Sequence, residues 1–323
     1  MSKPQVVVTR RIPSAGLDLV QQASDLRLWD SDEPIPRDIL LEWIQGIDGL
    51  YCLLTERIDD ELLDAAGPNL KVVSTLSVGY DHIDLAACAR RNVAVGNTPG
   101  VLTDTSADLA VGLLLATARR IPESIDAARR GEWTTWKPEW MAGYDVYGST
   151  VGIVGLGRIG TAVAKRLRGF DCRILYSNPT PKPEVAASVG AEYVDLDTLL
   201  AESDFVSIHT ELNDQTKHLF NADAFRKMKR TAILINTSRG GTVDQEALYH
   251  ALVNGEIAAA GLDVTTPEPL PVDHPLFTLR NCVILPHIAS ASYATRTKMA
   301  VLAAENIIAG IQGQPLPHPV KAV

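Results

Sequence analysis

The sequence predicts an α/β fold of two doubly wound parallel-sheet domains, the first of them discontinuous. Three observations carry the prediction. Short apolar runs alternate with amphipathic stretches, the rhythm of strand–helix–strand units in a parallel sheet. The alternation occurs twice, on either side of a long helical stretch from Thr103 to about Gly131. The chain then closes on a helix, roughly Tyr293 to Gln312, with no strand after it, so this helix is expected to return to the first domain. The expected domains are therefore residues 1–100 with 290–323, and residues 101–289.

Taken in order, QVVVTRR, IDGLYCLL, LKVVSTLS and VAVGN read as the first strand series, with SAGLDLVQQA and DDELLDAAG as helices among them. The stretch from Thr103 opens on a Thr/Asp-rich cap and carries apolar residues at helical spacing through LAVGLLLATARRI, too long for a simple crossover. An aromatic loop follows, GEWTTWKPEWMAGYDVYGS, in which two of Trp133, Trp136 and Trp140 read as packing anchors at a domain junction. The second series is more regular: STVGIVG, CRILYS, AEYVD, DFVSIHT, AILINTS, AAAGLDV and NCVILPH.

Composition excludes several classes of function. The 323 residues, 46% hydrophobic and 21% charged, suffice for two domains with cores of their own. A net charge of −9 with no Lys/Arg run lacks the electrostatic footprint that nucleic acid or an anionic membrane requires. Cys52, Cys88, Cys172 and Cys282 lie far apart with no CxxC pair, which reads as reduced thiols of an intracellular protein, with neither a disulfide framework nor a metal site. The start, MSKPQVVVTRR, has no secretory apolar core, and charges interrupt every apolar segment before about 18 residues. A cytoplasmic protein is expected.

The most specific local signal is STVGIVGLGRIGTAVAKRL, where Gly155, Gly157 and Gly160 form G-x-G-x-x-G between an apolar strand and a helix-forming run. The first glycine permits a tight turn, the second lets a pyrophosphate approach the backbone, and the third lets helix and strand pack closely. The intervening Leu156, Arg158 and Ile159 bring the helix N-terminus to the phosphates. This is the fingerprint of a Rossmann-like dinucleotide site. The next strand, CRILY, ends in Ser177 and Asn178 where an aspartate would accept the ribose 2′-OH of NAD and repel the 2′-phosphate of NADP. Both residues can donate to a phosphate, and Lys182 is in reach if the loop folds back. NADP(H) is therefore favoured, with NAD(H) also admitted.

Arg239, Glu268 and His287 each follow a strand of the second series. The planar fork of Arg239 suits an α-keto acid. His287 can donate a proton to a carbonyl oxygen while Glu268 orients the ring and favours its protonated form. Singly, each has a bland reading as a surface ion pair, a loop charge or a satisfied histidine.

Together, VGIVGLGRIG, LINTSRGGTVD, GLDVTTPEPLP and ILPHIASAS resemble the D-isomer-specific 2-hydroxyacid dehydrogenase family over nearly the whole chain. DSDEPIP, LKVVSTLSVGYDHIDL, VLTDTSADLAVGLLL and WTTWKPEW are similar to the branch of that family that reduces glyoxylate and hydroxypyruvate to glycolate and D-glycerate. The resemblance implies that Arg239, Glu268 and His287 are the substrate arginine, relay glutamate and acid/base histidine. It further implies that Val78 and Gly79 offer N–H groups to the substrate carboxylate and that Ser290 meets the hydroxymethyl group. Asp263 would hold the nicotinamide carboxamide, with Thr216 and Thr237 also on the dinucleotide. The first domain would bind substrate, and the second would bind the dinucleotide and carry a dimerisation loop. From that loop Trp136 would reach the neighbour's pocket in a homodimer. Glu211 departs from the family, standing in HTELNDQT where proline is common. Two alternatives stay open: a dehydrogenase of 3-phosphoglycerate or another D-2-hydroxyacid, and a dinucleotide-sensing, co-repressor-like scaffold.

Overall fold

The computed structural model describes residues 3–320, which form two compact units: residues up to Leu102 together with those from Ala291, and Thr103–Ser290. Both are Rossmann-like, with every strand pair parallel.

The first unit holds a five-stranded sheet among the described residues, in the order β2-β1-β3-β4-β5. Its strands are β1 (Gln5–Val8), β2 (Asp25–Leu28), β3 (Gly49–Cys52), β4 (Val72–Thr75) and β5 (Ala94–Gly96). Its helices are α1 (Ser14–Ala23), α2 (Arg37–Trp43), α3 (Asp60–Ala66) and α4 (Leu85–Arg90). The sequence pattern omits β2, because the four residues DLRL form an edge strand with only its alternate positions half-covered. The closing helix, the last of the chain (Tyr293–Ile311), packs against α1 and strands β3, β4 and β5. Two segments distant in sequence thus bury one core.

The second unit begins with α5 (Thr103–Ala118) and α6 (Ile121–Arg129), where one continuous helix is expected from the sequence. The break has a local cause. Arg120 turns into the left-handed region (φ 52°), its guanidinium grips Glu123 at 2.9 Å through two nitrogens, and Tyr144 N–H donates to the Ala118 carbonyl at 2.9 Å. The strands are β6 (Thr150–Val154), β7 (Arg173–Ser177), β8 (Ala191–Tyr193), β9 (Phe205–Ile208), β10 (Ile233–Asn236), β11 (Ala259–Leu262) and β12 (Cys282–Ile284). They are joined through α7 (Arg158–Leu167), α8 (Pro183–Val189), α9 (Leu196–Glu202), α10 (Ala222–Lys227) and α11 (Gln245–Val253), which makes the closing helix α12. The order β12-β11-β10-β9-β6-β7-β8 reverses between β6 and β9. Strand residues alternate between two apolar layers: Val151, Ile153, Ile174 and Ile235 face α5 and α7, while Leu175, Val206, Ile208 and Leu234 face the side of α9, α10 and α11. Such a reversal opens a crevice at the carboxyl ends of the strands, the usual ligand position in an open α/β sheet.

The four cysteines are free thiols, and burial pushes Cys88 up to about 11 and Cys282 up to about 12. No helix among the described residues is long and apolar enough to cross a membrane.

Candidate active site

The glycine loop leaves β6 at the reversal. Gly155 lies at φ +99°, and a Cβ there would also fall 2.8 Å from the His209 carbonyl beyond β9. A Cβ on Gly160 would fall 2.3 Å from the Gly155 carbonyl, whereas one on Gly157 would meet only open space. A helix start leaves its first N–H groups without partners. The N–H of Leu156 donates to Asn178 Oδ1 at 2.6 Å and that of Gly157 to the Gly155 carbonyl at 2.8 Å, so both are already engaged. The N–H groups of Arg158, Ile159 and Gly160 have no partner among the described residues. Those three N–H groups are open to an acceptor, while Leu156 between the glycines is buried.

Asn178 makes a contact with the glycine loop that its place in the sequence does not reveal. Its side-chain oxygen braces the glycine loop, while half-buried Ser177 stands at the end of β7. The Lys182 side chain is exposed, and its N–H donates to Tyr176 Oη at 3.0 Å just before α8. Thr216 closes its own turn, donating to the Glu211 carbonyl at 2.6 Å and accepting from Asn213 N–H at 2.8 Å. Thr237 and Thr210, by contrast, carry buried hydroxyls with no hydrogen-bond partner among the described residues, at the ends of β10 and β9. Thr210 is not predicted from the sequence. Beside it, burial pushes the His209 imidazole down to about 4, so it is neutral, and its Nε2 lies 2.8 Å from Ser207 Oγ.

Arg239, Glu268 and His287 come together at the ends of β10, β11 and β12. A Cβ on Gly240 would lie 2.0 Å from the Thr265 carbonyl, so glycine there lets the Arg239 loop touch the segment leading to Glu268. Asn236 shapes the Arg239 loop, donating to the Arg239 carbonyl at 2.9 Å and accepting from Ser238 N–H at 3.0 Å. Gln245 pairs with Thr266 at 2.6 and 2.7 Å through its amide. Glu268 Oε1 accepts from Thr265 N–H at 2.9 Å, and Oε2 lies 2.8 Å from His287 Nδ1. Burial pushes the Glu268 carboxyl up, but the His287 hydrogen bond and charge, Thr265 N–H and Arg239 outweigh it and hold the group below its usual range.

Asp263 reaches into the histidine loop from the end of β11. It has no exposed surface, and its two oxygens accept from Ile288 and Ala289 N–H at 2.8 Å each, while its carbonyl accepts from His287 N–H at 2.9 Å. Burial pushes this carboxyl above the usual range, against the pull of those N–H groups and of His287. His287 itself is left-handed, at φ 53°. Asp263 therefore holds the histidine loop in a conformation that non-glycine residues seldom adopt. Ser290, half-buried, ends that loop.

In the first unit, half-buried Val78 and Gly79 follow β4, and neither N–H donates to another group among the described residues. In the aromatic loop, Trp136 is 80% exposed and Trp133 68%, with Trp140 alone partly covered. Two packing anchors are expected from the sequence, and the described chain supplies one.

Residues 111–289 match the family model for the D-isomer specific 2-hydroxyacid dehydrogenase NAD binding domain. The chain belongs to the D-isomer specific 2-hydroxyacid dehydrogenase family. Among relatives of this dehydrogenase, the glyoxylate reductase/hydroxypyruvate reductase of Homo sapiens is 54% identical over 98% of both chains. The glyoxylate reductase of Korarchaeum cryptofilum is 50% identical over 98% of this chain and 95% of its own. A crystal structure of a protein from Thermus thermophilus superposes with a TM-score of 0.91 at 46% identity, covering 98% of this chain and all (100%) of the other. The NADPH-dependent glyoxylate/hydroxypyruvate reductase of Sinorhizobium meliloti, solved with NADP and malonate, gives 0.85 at 33% identity over 100% of both chains. A nicotinamide dinucleotide is accordingly the cofactor class of this dehydrogenase.

Proposed function

We propose that this dehydrogenase reduces glyoxylate and hydroxypyruvate to glycolate and D-glycerate with NADPH, as a cytoplasmic homodimer. The observation that carries the reading is the 2.8 Å His287–Glu268 pair beside the Arg239 loop, in the same unit as the glycine loop. In a chain 54% identical to a glyoxylate reductase/hydroxypyruvate reductase, that pair supports a keto-acid reductase. The second unit holds the dinucleotide, with Arg158, Ile159 and Gly160 at the diphosphate and Thr210 and Thr237 offering hydroxyls. When bound, the dinucleotide supplies the hydride. Arg239 holds the keto acid by its carboxylate and polarises the carbonyl. His287 gives its proton to the carbonyl oxygen as negative charge develops there, and Glu268, kept ionised, orients the ring through Nδ1. The first unit binds substrate, where the Val78 and Gly79 N–H groups receive the carboxylate.

Homodimer formation is supported by Trp133, Trp136 and Tyr147, three large apolar side chains of one loop that are each mostly exposed. Trp136 would then border the neighbour's substrate site. Sedimentation equilibrium tests the assembly, and a monomer at working concentration rejects it.

The activity is tested by following nicotinamide absorbance with glyoxylate, hydroxypyruvate and pyruvate, each with NADH and NADPH. Turnover confined to pyruvate, or none, rejects the reading. NADPH preference rests on Ser177, which brings no negative charge to the end of β7. In Ser177→Asp a carboxylate would repel the 2′-phosphate by about 1 to 4 kcal/mol, so the NADPH:NADH ratio of kcat/KM should fall about tenfold or more. Unchanged NADPH kinetics would show that β7 does not face the 2′ position.

A further inference from the structure

The Val78–Gly79 turn is held by a network whose members have no assigned part in the reaction. A trans peptide is planar, so its C=O and the N–H that follows point in opposite directions. Pinning a carbonyl therefore aims the next N–H. The Ser77 carbonyl accepts from Thr98 N–H at 2.9 Å, which turns the Val78 N–H outward. The Val78 carbonyl accepts from Asn97 Nδ2 at 2.7 Å, which turns the Gly79 N–H the same way.

The turn is closed from its other end by Ser77, whose Oγ donates to the Gly79 carbonyl at 2.6 Å. A carbonyl only accepts, so the single Ser77 proton is committed there. The 2.8 Å contact between Ser77 and Thr75 hydroxyls then uses the Thr75 proton, and the 3.2 Å contact of Thr75 with His82 Nε2 is donated by the imidazole. Asn97 is fixed independently. Its N–H donates to the His318 carbonyl at 3.2 Å, and its carbonyl accepts from Asn306 Nδ2 at 3.0 Å. Asn306 is fully buried in α12. Thr75, Ser77 and Asn97 are buried as well, which limits the access of water to these bonds.

We infer that Asn97 is a positioning residue for substrate binding: its side-chain amide aims the Gly79 N–H at the carboxylate of a 2-keto acid, beside the Val78 N–H that the Thr98 backbone aims, while the Ser77 hydroxyl closes the turn from its far end. The inference rests on the reading under Proposed function that these N–H groups receive that carboxylate. It adds that the aim of the Gly79 N–H depends on a side chain beyond the reacting atoms.

The test is steady-state kinetics of Asn97→Ala and Ser77→Ala with glyoxylate, and with its neutral methyl ester as a substrate lacking the carboxylate. Losing one buried hydrogen bond should raise KM for glyoxylate about tenfold in Asn97→Ala and about threefold in Ser77→Ala, with kcat changed less than about twofold. Ester kinetics and dinucleotide affinity, read by fluorescence titration, should stay at wild-type values. A general structural defect would slow acid and ester together, and that result, or an unchanged KM for glyoxylate, overturns the inference. Should Asn97→Ala fail to fold, Ser77→Ala decides by the same criteria. If the wild-type protein reduces no keto acid, the functional reading fails by itself. Calorimetric binding of oxamate, a non-reducible keto-acid analogue, then tests the turn: weaker binding by the variants supports the inference, and equal or absent binding in wild type and variants overturns it.

Discussion

The loop after β6 presents three N–H groups because a helix begins there, whereas the turn after β4 presents two because neighbouring groups hold the adjoining carbonyls. In the first, the shape comes from the chain's own backbone: glycines at 155 and 160 allow the turn and the close packing, and the Asn178 side chain braces it. In the second, buried Ser77 and Asn97 supply the shape from separate strand ends. The His287 loop follows the second plan, since Asp263 reaches it from the end of β11. Backbone-built loops tolerate few changes at their glycines, while side-chain-built loops fail gradually as single braces are removed.

The largest effect should come from Gly160→Val. Its Cβ would fall 2.3 Å from a backbone carbonyl, so helix α7 could not start where it does. Dinucleotide affinity should drop about 100-fold or more in a fluorescence titration, given the 1–3 kcal/mol and above that overpacking costs. A variant that binds normally would break the contrast, showing that the helix start is not what shapes this loop.

Asp263→Ala should loosen the brace-built histidine loop. It leaves the Ile288 and Ala289 N–H groups unpaired and frees His287 from its left-handed conformation. Urea denaturation should show a loss of about 2 to 4 kcal/mol, and turnover should fall with it. Full stability in this variant would mean that the His287 loop holds itself, as the glycine loop does.

Glu268→Gln sharpens the comparison by charge alone. The folded carboxyl titrates below its ordinary value of 4.5, so the unfolded chain binds the proton more readily. The stability Glu268 confers is therefore full above that value and is lost as pH falls through the depressed one. The melting-temperature gap between wild type and Glu268→Gln should close as pH falls below about 5 through the depressed value. A gap that widens in acid would reverse the assignment.

What the sequence by itself determined follows from features that are local. The strands of the second unit are legible as short runs bounded by turn residues, apolar in all but the edge strand β8, and the glycine motif is legible because turn, phosphate approach and helix start fall within six consecutive residues. Arg239, Glu268 and His287 stand out as polar groups directly after strands, and family resemblance supplied their grouping. Tertiary structure decided the rest, because those outcomes depend on partners far away in the chain. The helix after Thr103 breaks where Tyr144 takes the Ala118 carbonyl, and the edge strand β2 exists by pairing with β1. Asn178 and Asp263 each became braces because the N–H of a buried residue, 22 or 26 residues away, needed an acceptor. Burying a backbone N–H without a partner is costly, and sequence spacing does not reveal which side chain will meet that demand.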